Sequence, residues 1–297
     1  MPSPESTASR ERALAKLLPL NGLLAALPED AQARLLPHLG LVDLRPGQRL
    51  LEQGGACVRA FFPMAGLVSL AQEVRDGWHV QVALVGSEGL LGLPAALAGS
   101  DPAVRATVQC AGYGLALGRE QVMAEWDRGG RFKEILLRYS QGLQLEISQM
   151  ARCRRHHSLE QQLCTLVLMT SDRLPGQDPG LTADRLAQLL GVSAGAMAQA
   201  VRSLHESGAL AIRRDGALSF FDRAGMQARA CGCLRRMRGR QQLSVAAQVP
   251  AGPPAAPSLQ SRINASISSA LTGTPREISS QPLSPTIASS SMRMPML

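Results

Sequence analysis

The sequence has no apolar run near the about 18 residues that a membrane-spanning helix requires, and its first ten residues, Met1 to Arg10, contain no apolar signal core. These two absences lead to the expectation of a cytoplasmic protein without a membrane partner. Lysine is almost missing: only Lys16 and Lys133 occur, so the formal net charge of +8 rests on arginine. No solenoid-type repeat is visible. The six cysteines (57, 110, 153, 164, 231 and 233) are too dispersed in 297 residues for a small disulfide scaffold, and in a reducing compartment they read as free thiols. Of five histidines only His79 falls among the strand-like segments, so no facial metal triad can be assembled there. Neither a Ser/His/Asp arrangement nor a glycine-rich phosphate loop stands out. Together these gaps argue against an enzyme.

What is present is arginine in one place. Between Arg202 and Arg240 nine arginines face only Glu206, Asp215 and Asp222, a local net charge of +6. Such a patch suits a phosphate-bearing partner.

The texture of the chain changes along its length. Helical spacing over Glu11 to Leu18 and Asn21 to Leu36 predicts a lead and two short helices, with Pro28 and Glu29 in a first turn. From Gly40 to Leu117, short β-type runs alternate with turn signals: Pro46-Gly47, Gly54-Gly55, Pro63 to Gly66, Asp76-Gly77 and Gly86 to Gly89. Turns this frequent predict an antiparallel roll or barrel. Alternation is clearest in Leu67 to Ala71 and Trp78 to Val85, with Asp76-Gly77 as the hairpin turn between them. From Arg119 to Asp172 the period becomes helical, and Phe132, Ile135, Leu136, Tyr139, Leu143, Ile147 and Met150 recur at three- and four-residue steps. This predicts a helix of about 25 residues. Its apolar stripe either forms a dimer seam or packs on the roll. Beyond Arg240 the chain is rich in Ser, Pro, Ala and Thr, a composition that predicts a disordered tail over 240–297.

The most informative stretch is Leu181 to Leu204. Thr182 is placed to cap one helix and Ser193 the next, Asp184 sits in a first turn, and Ala187 allows close helix approach. Gly191 supplies the left-handed residue of a tight turn. Leu186, Leu190, Val192, Met197 and Val201 then share a small core, and Ala209 to Phe220 reads as a β-hairpin turning at Asp215-Gly216. The sum is a helix-turn-helix with a wing.

With these motifs in hand, residues 20–233 resemble the Crp/Fnr family of transcription regulators. The resemblance is carried by Leu44-Arg-Pro-Gly-Gln48, Gly54-Gly55, Phe61 to Leu70, Asp76-Gly77, Gly89-Leu-Leu-Gly92, the long helix and the winged motif in that order. It implies an α+β chain: an N-terminal lead (1–19), a double-stranded β-helix (jelly-roll) sensor (20–118), a long dimerisation helix region (119–157) and a winged helix-turn-helix (158–233). It further implies a homodimer through Ile135, Tyr139, Leu143, Ile147 and Met150, double-stranded DNA as partner, RNA polymerase as a further contact, and an unknown small-molecule effector. DNA-contacting positions would be Thr182, Ser193, Ala194, Gln199, Arg202, Arg213 and Arg214, with the second helix in the major groove.

The departures from the family pattern carry as much information. Members that bind cyclic nucleotide use Gly-Glu-Leu-Gly and an Arg-Ser pair, so the corresponding effector pocket here would be Gly89, Leu90, Leu91, Gly92, Arg105 and Thr107. Leucine at position 90 cannot accept the ribose hydrogen bond, and Ala106 follows Arg105, so a classical cyclic nucleotide is not expected. No iron–sulfur cluster or metal is expected either: an N-terminal cysteine cluster is lacking, and Cys231-Gly-Cys233 has no two further ligands nearby in sequence. His156-His157 reads as a solvated joint between the long helix and the next unit. In the recognition helix, Ala194, Gly195 and Gln199 stand where the family often shows Arg, Glu and Arg. Gln199 can pair with adenine and Ala194 can touch a thymine methyl, while Arg202 and the wing arginines suit phosphate. The competing reading is a ligand-sensing or protein-interaction dimer whose DNA-reading helix has degenerated.

Overall fold

The computed structural model describes residues 4–75, 78–220 and 222–238. The sequence-predicted tail at 240–297 and the Asp76-Gly77 turn lie outside these residues.

Three helices lead: α1 (Pro4–Ala15), α2 (Gly22–Ala25) and α3 (Glu29–Leu35). Asn21 fastens this lead to the strands beyond it. Its carboxamide oxygen accepts from the Leu23 and Leu24 N–H groups to cap α2, while its Nδ2 donates to the carbonyls of Pro63 and Gly89, both at 2.8 Å. A fully buried Asn with every polar atom engaged is a directional pin rather than an apolar contact.

The roll is built from β1 (Gly40–Leu44), β2 (Arg49–Leu51), β3 (Arg59–Arg75), β4 (Trp78–Val85), the short helix α4 (Leu93–Ala98) and β5 (Arg105–Gly118). All pairings are antiparallel, in the order β1-β5-β3-β4 with β2 also on β5. The period-two pattern does the sorting: Ala106, Val108 and Cys110 of β5 point inward while Arg105, Thr107 and Gln109 alternate between them. Pro63 to Gly66, read from sequence as a turn, instead lies inside the continuous strand β3, where the register against β5 slips repeatedly between Pro63 and Val68. The cause is steric. Gly112 lies so close to the opposing strand that an added Cβ would sit 2.1 Å from the Ala65 carbonyl oxygen. The strands cross here through bulges that bend them, and the chain does not reverse.

Two helices then cover the roll, α5 (Arg119–Arg128) and α6 (Gly130–His156). The sequence-predicted long helix is present at 27 residues. Next come α7 (Leu159–Arg173), opened by a Ser158/Gln161 capping box, then α8 (Ala183–Leu190), α9 (Ala194–Glu206), the hairpin β6 (Leu210–Ile212) and β7 (Leu218–Phe220), and α10 (Arg223–Arg229). Residues 233–238 are again helical.

The apolar core does not stop at the end of the roll. One buried cluster joins Leu67, Leu84 and Cys110 of the roll to Met150 of α6, Leu163, Leu166 and Val167 of α7, and Leu186, Met197 and Leu204 of the helix-turn-helix. The described residues accordingly belong to a single compact unit, Met1–Pro254. Among the described residues no helix is long and apolar enough to cross a membrane.

Candidate nucleic-acid interface and the cleft behind it

The helix-turn-helix forms as its sequence dictates. The Thr182 hydroxyl accepts from the Arg185 N–H at 3.2 Å and the Ser193 hydroxyl from the Ala196 N–H at 3.3 Å, so each helix has its cap. Gly191 adopts φ +67, ψ +39, the left-handed turn conformation. Leu186, Met197 and Leu204 are fully buried beneath the two helices. The wing is tied in by the Leu218 N–H donating to the Leu181 carbonyl at 2.7 Å and by a bridge between Thr182 and Ala217.

The sequence-predicted contact residues fall into two groups. Ala194, Gly195, Gln199 and Arg202 are exposed on α9, and Arg214 is exposed on the wing. Thr182 and Ser193 have hydroxyls already engaged as caps, which leaves them to position the helices. Arg213 is held by Asp178 and Asp215, so it meets a phosphate only by giving up those carboxylates. Arg223 is paired with Asp172 in the same way, as is Arg238. Part of the basic excess read from sequence is thus neutralised locally.

Behind α8 and the start of α9 lies a cleft of about 760 Å³, walled on one side by the roll and on the other by the helix-turn-helix. Arg105 and Thr107 line it, together with Arg49, His79 and Gln81; Asp184, Arg185, Gln188 and Ala194 face them. Arg105 is engaged with Glu52 at 3.0 Å, and Arg49 holds the other Glu52 oxygen at 2.9 Å. The remaining members of the expected pocket, Gly89 to Gly92, are elsewhere. Leu90 and Leu91 are buried core, the Leu90 carbonyl accepts from the Tyr139 hydroxyl at 2.7 Å, and a Cβ at Gly89 would meet that same hydroxyl. Apolar side chains at 90 and 91 turn this loop inward against α6, and it does not line the cleft behind α8.

Two buried arginines that sequence reading did not single out join the parts. Arg154, in the segment expected to be a solvated joint, donates to the Gln81 carbonyl of β4 and to the Leu189 and Leu190 carbonyls that end α8. A cation at these unpaired carbonyls suits the negative end of the helix dipole. Burial lowers its pKa to about 10, opposed by the neighbouring Cys153. Arg173 of α7 bonds Glu88 of the β4–α4 turn at 2.8 Å and Glu146 of α6 at 2.9 Å, with its side chain 5% exposed. Burial pushes the Glu146 carboxyl upward while Arg173 pulls it down.

The joint is not solvated in a second respect. Cys153 and His157, one helical turn apart, meet Cys231 and Cys233, and their donor atoms all lie within 4.8 Å of one another. The two further ligands that Cys231-Gly-Cys233 lacks in sequence are therefore supplied in space by the last turn of α6 and by His157, the residue that ends it. No local signal revealed this, because the pairs are 78 and 76 residues apart.

The α6 stripe is largely covered within the chain itself. Ile135, Tyr139 and Met150 are buried within the chain, and Leu143 and Ile147 pack against the roll core. The outward face carries Leu137, Gln141, Gln144, Ser148 and Ala151 at alternating four- and three-residue steps, all exposed.

No family sequence model and no curated protein sequence matches the chain. Solved structures do. FixK2 from Bradyrhizobium japonicum superposes with a TM-score of 0.57 at 13% identity, covering 65% of this chain and 98% of that one. A CRP/FNR-family transcriptional regulator from Thermus thermophilus gives 0.53 at 19% identity over 64% and 98% of the two chains. The c-di-GMP-responsive global regulator CLP of Xanthomonas campestris gives 0.52 at 16% identity over 66% and 100%. With nearly the whole of each of these proteins matched, the chain has the fold of the Crp/Fnr transcription regulators, an α+β roll followed by a long helix and a winged helix-turn-helix.

Proposed function

We propose that this protein is a homodimeric transcription regulator in which the roll (20–118) senses an effector, the long helix region (119–157) mediates pairing, and the winged helix-turn-helix (158–233) binds double-stranded DNA. The observation that carries this reading is the complete local chemistry of the helix-turn-helix: both caps, the left-handed Gly191 turn and the paired wing are formed, while Gln199 and Arg202 stay exposed on α9. Arg214 on the wing is exposed beside them. Gln199 suits an adenine edge, and Arg202 and Arg214 suit phosphate. For pairing, the outward face of α6 is the surface available, with Leu137 at 51% exposure near its start. For the effector, the cleft bearing Arg105 and Thr107 replaces the Gly89 to Gly92 loop, and a small polar molecule matches its walls. No enzymatic role is proposed.

The test is binding of the purified protein to random-sequence duplex across a salt series, with the bound sequences read out. The expected result is a palindrome with half-sites about 34–36 Å apart. Arg202→Ala removes one phosphate contact from each protomer, so it should reduce the log–log salt slope by about two per dimer while leaving the motif unchanged. Gln199→Ala should relax one position of each half-site. Absence of binding at every salt concentration, with and without candidate effectors, would instead favour the reading suggested by Ala194, Gly195 and the ion-paired Arg213: a sensing or protein-interaction dimer whose DNA-reading helix has degenerated.

A further inference from the structure

Three thiols and an imidazole converge where the long helix meets the end of the winged unit. Cys153 Sγ lies 3.4 Å from Cys231 Sγ, and Cys233 Sγ lies 3.5 Å from His157 Nδ1. Tetrahedral coordination with Zn–S near 2.3 Å and Zn–N near 2.0–2.1 Å places ligand atoms roughly 3.5–3.8 Å apart. The spacing here already approaches that figure, and all four donors fall within 4.8 Å of one another. The three cysteines are buried and His157 is half-buried. We propose that Cys153, His157, Cys231 and Cys233 form a closed, structural binding site for a single Zn²⁺ ion.

The surroundings have the features that orient metal ligands. The Gln149 Nε2 donates to Cys233 Sγ at 2.9 Å, and the Thr165 hydroxyl lies 3.3 Å from Cys231 Sγ. Gln162 Nε2 donates to the His157 carbonyl at 2.8 Å, fixing the backbone that carries the imidazole. Partners of this kind hold thiolates and imidazoles in place around a cation. The donor set itself selects the metal: three thiolates and one imidazole in a tetrahedron suit Zn²⁺, while hard, oxygen-seeking Mg²⁺ and Ca²⁺ are disfavoured. Donors packed this tightly enclose one ion. An iron–sulfur cluster, whose ligands sit on different iron atoms, needs them farther apart. With four protein ligands there is no open position for water, so the ion would cross-link and not catalyse. The elements it joins are the last turn of α6 and the segment after α10, which fastens the winged unit to the long helix at a point distinct from the DNA-reading face. The proposal does not depend on DNA binding.

The experiment is metal analysis of the full chain purified anaerobically under reducing conditions, followed by Co²⁺ titration of chelator-stripped protein. One equivalent of zinc per chain is expected, together with strong visible d–d bands and near-ultraviolet thiolate-to-cobalt charge transfer. Cys231→Ser and Cys233→Ser should lose both, whereas Cys57→Ser, altered at a remote thiol in the roll, should keep them. Because Cys231→Ser places a different group in a buried site and can weaken the fold, His157→Cys provides an independent reading. It exchanges one zinc ligand for another, so the metal should remain and the charge-transfer band should gain intensity. The proposal is overturned by a chain that neither carries zinc nor gives a tetrahedral cobalt spectrum, by metal retention in Cys231→Ser and Cys233→Ser, or by a Cys153–Cys231 disulfide in the anaerobically reduced protein.

Discussion

Arg173 is a single side chain on which three segments converge. Its guanidinium neutralises Glu88 beside the roll and Glu146 on α6, and Glu146 also accepts the Leu84 N–H at 3.4 Å. Removing one partner of such a group leaves charge buried without compensation, which typically costs about 3–5 kcal/mol. Arg173→Met keeps most of the volume and removes the cation, so the loss should fall in that range near neutral pH. The pH dependence identifies its origin. Burial already raises the Glu146 carboxyl above its ordinary value, and without Arg173 it rises further. A carboxyl whose folded pKa exceeds its unfolded one binds its proton more tightly in the native state. Its contribution is therefore fully present below the unfolded pKa and is lost as pH rises through the folded value. Urea midpoints for Arg173→Met should thus recover on acidification toward the ordinary carboxylate range, relative to the parent chain at the same pH. A deficit unchanged from neutral to mildly acid pH would assign Arg173 a packing role alone.

At the scale of elements, the decisive contact is α8 against β4. Gly191 sits so close to the strand that a Cβ would lie 2.8 Å from Val80 Cγ2, and Arg154 ties the Leu189 and Leu190 carbonyls to that of Gln81. The start of α9 consequently faces the roll across a cleft of about 760 Å³, far too small for a duplex. Only Ala194 of α9 faces that cleft, while Gln199 and Arg202 farther along stay exposed. On the proposed reading we expect a duplex to seat the whole of α9 only when α8 leaves β4. Charge-assisted hydrogen bonds contribute about 1.5–3 kcal/mol, so Arg154→Met should raise the population of undocked winged unit. DNA affinity at fixed salt should then increase roughly tenfold to a hundredfold. Fluorescence anisotropy with a labelled duplex reads this directly, and a fall in affinity would mean that the docked arrangement is the DNA-competent one. The helix-turn-helix itself was legible because its determinants are local: Thr182 caps Arg185, Ser193 caps Ala196, and Gly191 needs only its own φ. Arg154 was not, since its partners lie 35 to 73 residues away and its neighbours Arg155 and His156 are indeed exposed. The Gly89 to Gly92 loop shows the converse: its spacing matches the family's, while the burial of Leu90 and Leu91 depends on the whole roll and could not be read from the spacing. The four donors around Cys231 were invisible for lack of any short-range pattern linking α6 to the segment after α10.

For the whole molecule, roll and winged unit share one core. Leu67, Leu84 and Cys110 pack in the same cluster as Leu186, Met197 and Leu204, and the Arg154 and Arg173 networks cross the same boundary. Elements that bury each other's apolar surface lose it together, so the described residues should unfold in one cooperative transition and not as two independent domains. The sequence provides a convenient reporter, because its two tryptophans, Trp78 and Trp126, both precede α6, whereas α7 to α10 contribute helical signal. Tryptophan fluorescence and far-ultraviolet circular dichroism should therefore give the same urea midpoint. Leu186→Ala, which opens a cavity in the helix-turn-helix, should cost about 2–5 kcal/mol and shift the fluorescence midpoint as much as the dichroism midpoint. If the fluorescence transition stayed in place while the dichroism transition moved, the roll would be holding its structure without the winged unit. The docking of α8 on β4 would then be a weak contact between independent bodies, and the effect of Arg154→Met on DNA affinity would shrink with it.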